Sequence, residues 1–233
     1  MSKTPHPKTQ ALRALVARIP TNHPEAFKPP HVQLQGNVER LAAAAEALSN
    51  LHSIRNPTET DGAHTKKVST AAARLKAEAE AMLSRMNTTV HTGMDAIQKS
   101  INAKVKLNPD AYAPEIRAAF RGKSQVEKFK LLGELVESNR GPELAAIVRA
   151  PDTLTGLTKE HKDRFAAAIV ARHAPDEAEA EKALMASFDA ALVAVGVAKD
   201  VSAVYSDPVA LAEITAAENA AAAAAKSFQE ATS

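Results

Sequence analysis

Apolar positions between Val68 and Ile101 recur every three or four residues: Val68, Ala72, Leu75, Ala79, Met82, Met86, Val90, Met94, Ile97 and Ile101. Three-and-four spacing is the signature of one helix face. It predicts a helix from Thr65 to Lys104, roughly 60 Å long at about 1.5 Å per residue. A rod of that length exceeds an ordinary globular core and calls for a partner helix or a partner subunit. Val68, Leu75, Met82, Met86, Val90, Met94, Ile97 and Ile101 are therefore the expected partner-helix seam. The weakest stretch is Asn87 to Gly93, where Thr88, Thr89 and Val90 are β-branched and Gly93 disfavours helix. A continuous helix is the expectation; a break there is the alternative.

Similar stripes mark the other elements. Leu12, Leu15, Val16 and Ile19 predict a short amphipathic helix over Thr9–Ile19, stopped by Pro20. Thr21 to His31 reads as an extended, proline-rich arm, so the short helix is a candidate to dock on a neighbour; folding back onto its own chain is the equal alternative. Leu34, Val38, Leu41, Ala45, Leu48 and Leu51 predict a helix over His31–Ile54. The Asn56-Pro57 and Asp61-Gly62 pairs mark a short turn before the long helix, which favours an antiparallel helical hairpin.

Beyond Leu107 the predicted helices are shorter. One follows Asn108-Pro109 and ends near Gly122. Ser124 with Glu127 forms a capping-box pattern for a helix to Asn139. Pro142 opens a helix to Ala150, Pro151–Leu157 is a loop, and Thr158 caps a helix to His173. Pro175 opens a helix with Leu184, Phe188, Leu192 and Val195 as its stripe, and Asp207-Pro208 starts the last one, which carries the tract Ala220–Ala225. That tract reads either as a solvated terminal helix or as a surface able to approach another helix closely.

The fold class is thus all-α, with a long N-terminal antiparallel hairpin followed by a compact bundle of shorter helices. The expected organisation is a proline-rich arm with its short helix over 1–31, the hairpin over 32–106 and the bundle over 107–233. Composition agrees: 50 of the 233 residues are alanine, aromatics are 3%, and β-branched runs typical of strands are missing. A core rich in alanine gains little area per residue and depends on close helix approach.

Charge is unevenly spread. Residues 1–106 carry 15 Lys/Arg against 8 Asp/Glu, and residues 175–233 carry 3 against 10. Head-to-tail attraction between copies, a basic surface near nucleic acid, and two ordinary solvated surfaces are the three readings. The candidate phosphate contacts are Lys66, Lys67, Arg74, Lys76 and Arg85, without aromatic interleaving for base readout.

Known catalytic patterns fail on specific residues. Gly122-Lys123-Ser124 ends like a phosphate-binding loop, but Arg117 stands where the first glycine belongs and the preceding segment is helical. None of the eight histidines forms a His-Glu-x-x-His pair, and no cysteine is present. No catalytic residue, cofactor or metal is expected, and the longest apolar run, Ala190–Ala198, is too short to cross a bilayer.

Alanine-rich helices, the absence of cysteine, the proline-rich N-terminal arm and opposite charge at the two ends together resemble small helical structural proteins of tailed-phage particles. The resemblance is one of composition along the whole chain. It implies a multi-copy scaffolding, internal or ejection, or head–tail-associated protein of the virion that binds itself or capsid, portal and tail proteins. The residue-based alternative is a bacterial cytoplasmic helical adaptor or nucleoid-type protein that contacts DNA through the basic hairpin.

Overall fold

Ten α-helices and one 3-10 turn make up the computed structural model, which describes residues 7–20 and 23–232; no strand occurs among them. The helices are α1 (Pro7–Val16), α2 (Lys28–Ser53), α3 (Asp61–Val105), α4 (Ala113–Arg121), α5 (Gln125–Glu137), α6 (Gly141–Val148), α7 (Asp152–Thr155), α8 (Lys159–His173), α9 (Pro175–Tyr205) and α10 (Pro208–Ala231). The long helix runs unbroken through Asn87–Gly93. Gly93 explains why a helix-disfavouring residue sits there: a Cβ would lie 2.8 Å from Leu184 Cδ2 and 3.0 Å from Pro30 Cγ. The missing side chain admits two neighbours.

Four local expectations are corrected. The arm over Thr21–His31 is not extended where described: Glu25–Phe27 is a 3-10 turn, and α2 begins at Lys28. Pro29 and Pro30 fit its first turn because N–H groups there have no helical acceptor to lose. Residues 1–6 of the N-terminal segment, with Thr21 and Asn22, lie outside the described residues. Asn108-Pro109 does not start a helix; α4 starts at Ala113, with Pro114 in its first turn. Pro151–Leu157 contains the one-turn helix α7, closed by Gly156 at φ 68°. In α9, Leu192 is exposed, and the buried stripe is Ala180, Leu184, Ser187, Ala191, Ala194, Val195, Ala198 and Val201. Small residues share the face that packs with Leu184, Val195 and Val201.

The chain divides into two compact units. The first comprises Met1–Pro20, His31–Thr89 and Ala186–Ser233, so the C-terminal helices share a core with the N-terminal ones. This division cuts across the three consecutive segments expected from sequence. Leu12 and Leu15 of α1, Leu34, Val38 and Leu41 of α2, Leu75, Met82 and Met86 of α3, and Ala191 and Ala198 of α9 are buried. Buried hydroxyls tie these elements: Ser202 Oγ donates to the Ala72 carbonyl at 2.7 Å, and His31 Nδ1 meets Ser187 Oγ at 3.1 Å. Between α2 and α3, Thr89 Oγ1 donates to Gln33 Oε1 at 3.1 Å, and His64 Nε2 reaches the His52 carbonyl at 3.3 Å.

The second unit comprises Thr21–Pro30 and Val90–Met185. Here α4 packs on α6 and α7, while α5, α6 and α8 pack on one another. Phe120, Leu132, Leu144, Ile147, Leu157 and Ile169 form its core. The capping box at Ser124 and Glu127 is present with both reciprocal bonds. Two buried lysines hold the α6–α8 connection: Lys128 Nζ donates to the Thr155 carbonyl at 3.1 Å, and Lys162 Nζ to the Ala150 carbonyl at 2.5 Å. Gly141 lies so close to Val105 that a Cβ would fall 1.6 Å from its carbonyl oxygen.

Candidate functional site

The expected seam is real as a buried face. Val68, Leu75, Met82, Met86, Val90, Ile97 and Ile101 are all buried, with Met94 half-buried. The chain itself covers them, so of the two expected covers, a partner helix or a partner subunit, helices of the same chain bury this face. The reason is the alanine content: Ala42, Ala45, Ala72, Ala79, Ala191 and Ala198 are buried and keep facing backbones close. The N-terminal helix is likewise committed at home. Leu12, Leu15 and Ile19 are buried, Val16 is half-buried, Arg13 pairs with Glu46, and Lys8 Nζ meets Asp200 Oδ2 at 3.1 Å.

The basic stretch is largely neutralised. Lys66 pairs with Glu218, Lys67 lies 3.8 Å from Glu59, and Arg85 lies 2.6 Å from Glu78; Arg74 and Lys76 are exposed. Lys66–Glu218 and Lys8–Asp200 join basic N-terminal to acidic C-terminal residues inside one unit, while Lys199–Glu80 runs the other way and the remaining pairs are local. Part of the charge separation along the chain is thus met within a single molecule.

One polar cavity lies in the first unit. His52, His64, Thr65, Ser69, Tyr205 and Asp207 line a space of about 320 Å³. Several of its groups are bonded: Tyr205 Oη donates to Ser49 Oγ at 3.1 Å, the Asp207 N–H to Ser69 Oγ at 3.3 Å, and His64 Nδ1 faces Glu59 Oε2 at 3.4 Å. Among the described residues no group of three or more His, Cys, Asp or Glu could hold a metal ion.

Two carboxylates stand apart electrostatically. Burial of Glu177 opposes its charged form, but hydrogen bonds from Lys104 Nζ at 2.9 Å and Ser100 Oγ at 2.6 Å outweigh this and hold it below the usual range. Glu127 is held low by the Ser124 hydroxyl and backbone N–H of the capping box. Both carboxylates tie the first turn of a helix.

The feature that sequence reading undervalued is α10. Asp207 caps it, its Oδ1 accepting from the Ala210 N–H at 2.9 Å, and Pro208 opens it. Its first turns rest on α3: Ile214 lies beside Gly62, and Lys66 pairs with Glu218. None of its 24 residues is buried, every residue from Thr215 onward is exposed, and Phe228 is 71% exposed. The signal was in the sequence: a terminal run of alanine offers propensity but little to bury. No helix among the described residues is long and apolar enough to cross a membrane. Comparison with protein-family models, with curated proteins and with solved structures finds no match.

Proposed function

We propose that this chain is a non-enzymatic structural protein that works by assembly, through helix–helix contacts. The observation that carries this reading is α10, a capped 24-residue helix without one buried residue and with Phe228 exposed in its last turn. A monomeric protein rarely retains so long an apolar-faced helix unless something binds it. The first unit, on which the opening turns of α10 rest, is the mount. Its N-terminal part is a long antiparallel hairpin of α2 and α3; Gln33 bonded to Thr89 and His52 bonded to His64 support that sense of pairing. The setting that fits is the tailed-phage particle, whose small alanine-rich helical proteins this chain resembles, as a multi-copy component in contact with itself and with capsid, portal or tail proteins.

Native mass spectrometry of the complex purified from its source tests the reading. The expected result is several copies of the chain in one particle, alone or with other structural proteins. Recovery as a lone monomer overturns it.

A further inference from the structure

In the second unit, α3, α8 and α9 wall a cleft of about 460 Å³. That volume lies within the range of small-molecule sites, roughly 300–1,000 Å³. Most of its lining is apolar. Ile101 is buried, Leu107 and Val170 are half-buried, and Met185 is 41% exposed. Met185 is unbranched, so it can fold over an occupant or move aside. Polar groups are few: the amides of Gln98 and Asn102 on α3, Glu181 and Lys182 on α9, and Arg149 at the end of α6.

An apolar slot with a few polar side chains suits a small amphipathic molecule. Charge selects its head. Arg149 Nη1 donates to Asn108 Oδ1 at 3.1 Å, which leaves the guanidinium further N–H donors. Among the described residues neither Arg149 nor Lys182 meets a carboxylate. Glu181 is the one acid in the lining, so two cations stand against a single carboxylate. That balance favours a monoanion over a cation or a dianion. An inorganic anion would leave the apolar walls in water, and a hydrocarbon would leave both cations unmet.

We propose that this cleft binds a small monocarboxylate with an apolar chain. The tail lies against Ile101, Val170 and Met185, and the carboxylate turns to Arg149 and Lys182. The site is independent of the assembly reading: its residues all belong to the second unit and none to α10.

Octanoate is the probe, titrated below its micelle concentration into the full chain and followed by calorimetry. Octan-1-ol and octylammonium carry the same tail with a neutral and a cationic head. Octanoate should bind tightest and octylammonium at least tenfold weaker. Hexanoate, two methylenes shorter, should bind roughly tenfold weaker than octanoate. Arg149→Gln with Lys182→Gln should weaken octanoate at least tenfold and leave octanol unchanged, a split that damage to the fold would not produce. Ala171→Trp, at an exposed lining position, should abolish binding of both by filling the cleft. Methionine methyl NMR locates the site: the Met185 signal should move on titration, while those of Met82 and Met86, fully buried in the first unit, stay fixed. Equal binding of octanoate and octylammonium, unchanged octanoate affinity in the double variant, a fixed Met185 signal, or no binding up to the micelle concentration overturns the proposal.

Discussion

Helices α9 and α10 follow one another, are both alanine-rich and differ in nearly everything else. In α9, Ala180, Ala191, Ala194 and Ala198 have no exposed surface, and Ser187 and Ser202 are buried among them. In α10 the alanines are at least as dense and none is buried. Alanine therefore carries no instruction to be inside or outside. What separates the two is the company of larger residues: α9 interleaves Leu184, Val195 and Val201 with its alanines, and these anchor its face. Beyond Ile214, α10 offers only Phe228 as a large apolar side chain, too little to hold a helix against its own unit.

The sharpest way to break this comparison is to make the same change in both helices. Ala191→Glu places an unpaired charge in the α9 core and should cost about 3–5 kcal/mol. Ala221→Glu in α10 should stay within about 0.5 kcal/mol. Chemical denaturation of the two variants decides it; equal losses would mean α10 is packed in solution.

The helix starts differ next. Glu177 anchors the first turn of α9 through Lys104 and Ser100, and Glu177→Gln should cost about 1–2 kcal/mol at neutral pH. Its folded-state pKa is depressed, so its contribution is complete above the unfolded value of about 4.3 and is lost as pH falls through the folded value. Thermal melts between pH 7 and 3 should show the wild-type advantage shrinking in acid, and the glutamine variant should lack that component. By contrast, Asp207→Ala removes the α10 cap and should cost about 1 kcal/mol, read chiefly as lost helicity by circular dichroism. The smallest effect has the opposite sign. A Cβ at Gly196 in α9 meets nothing within 4 Å, so Gly196→Ala should stabilise by about 0.5–1 kcal/mol in the same melts.

Much of the architecture was legible along the chain. The Val68–Ile101 spacing marked a face that is buried, and Ser124 with Glu127 marked a capping box that is formed. Punctuation was less reliable. Pro29 and Pro30 entered the first turn of a helix instead of ending an arm, because the first turn tolerates a missing N–H. Leu192 is exposed because the adjacent positions Ala191, Ala194 and Val195 face the core in its place, and its bulk alone does not reveal that. The candidate surface was half legible. The alanine tract of α10 was visible, but nothing in its own residues said whether another helix would cover it.

Local chemistry along the chain determined that the protein is helical, because alanine density, capping residues and three-and-four spacing act within a few residues of one another. Only the tertiary structure decided which apolar faces are satisfied. The long helix proved to be covered from within, and the last helix proved to be bare. Burial depends on which distant segments reach a face, and a backbone lined with methyl groups is equally ready to be packed or left in water.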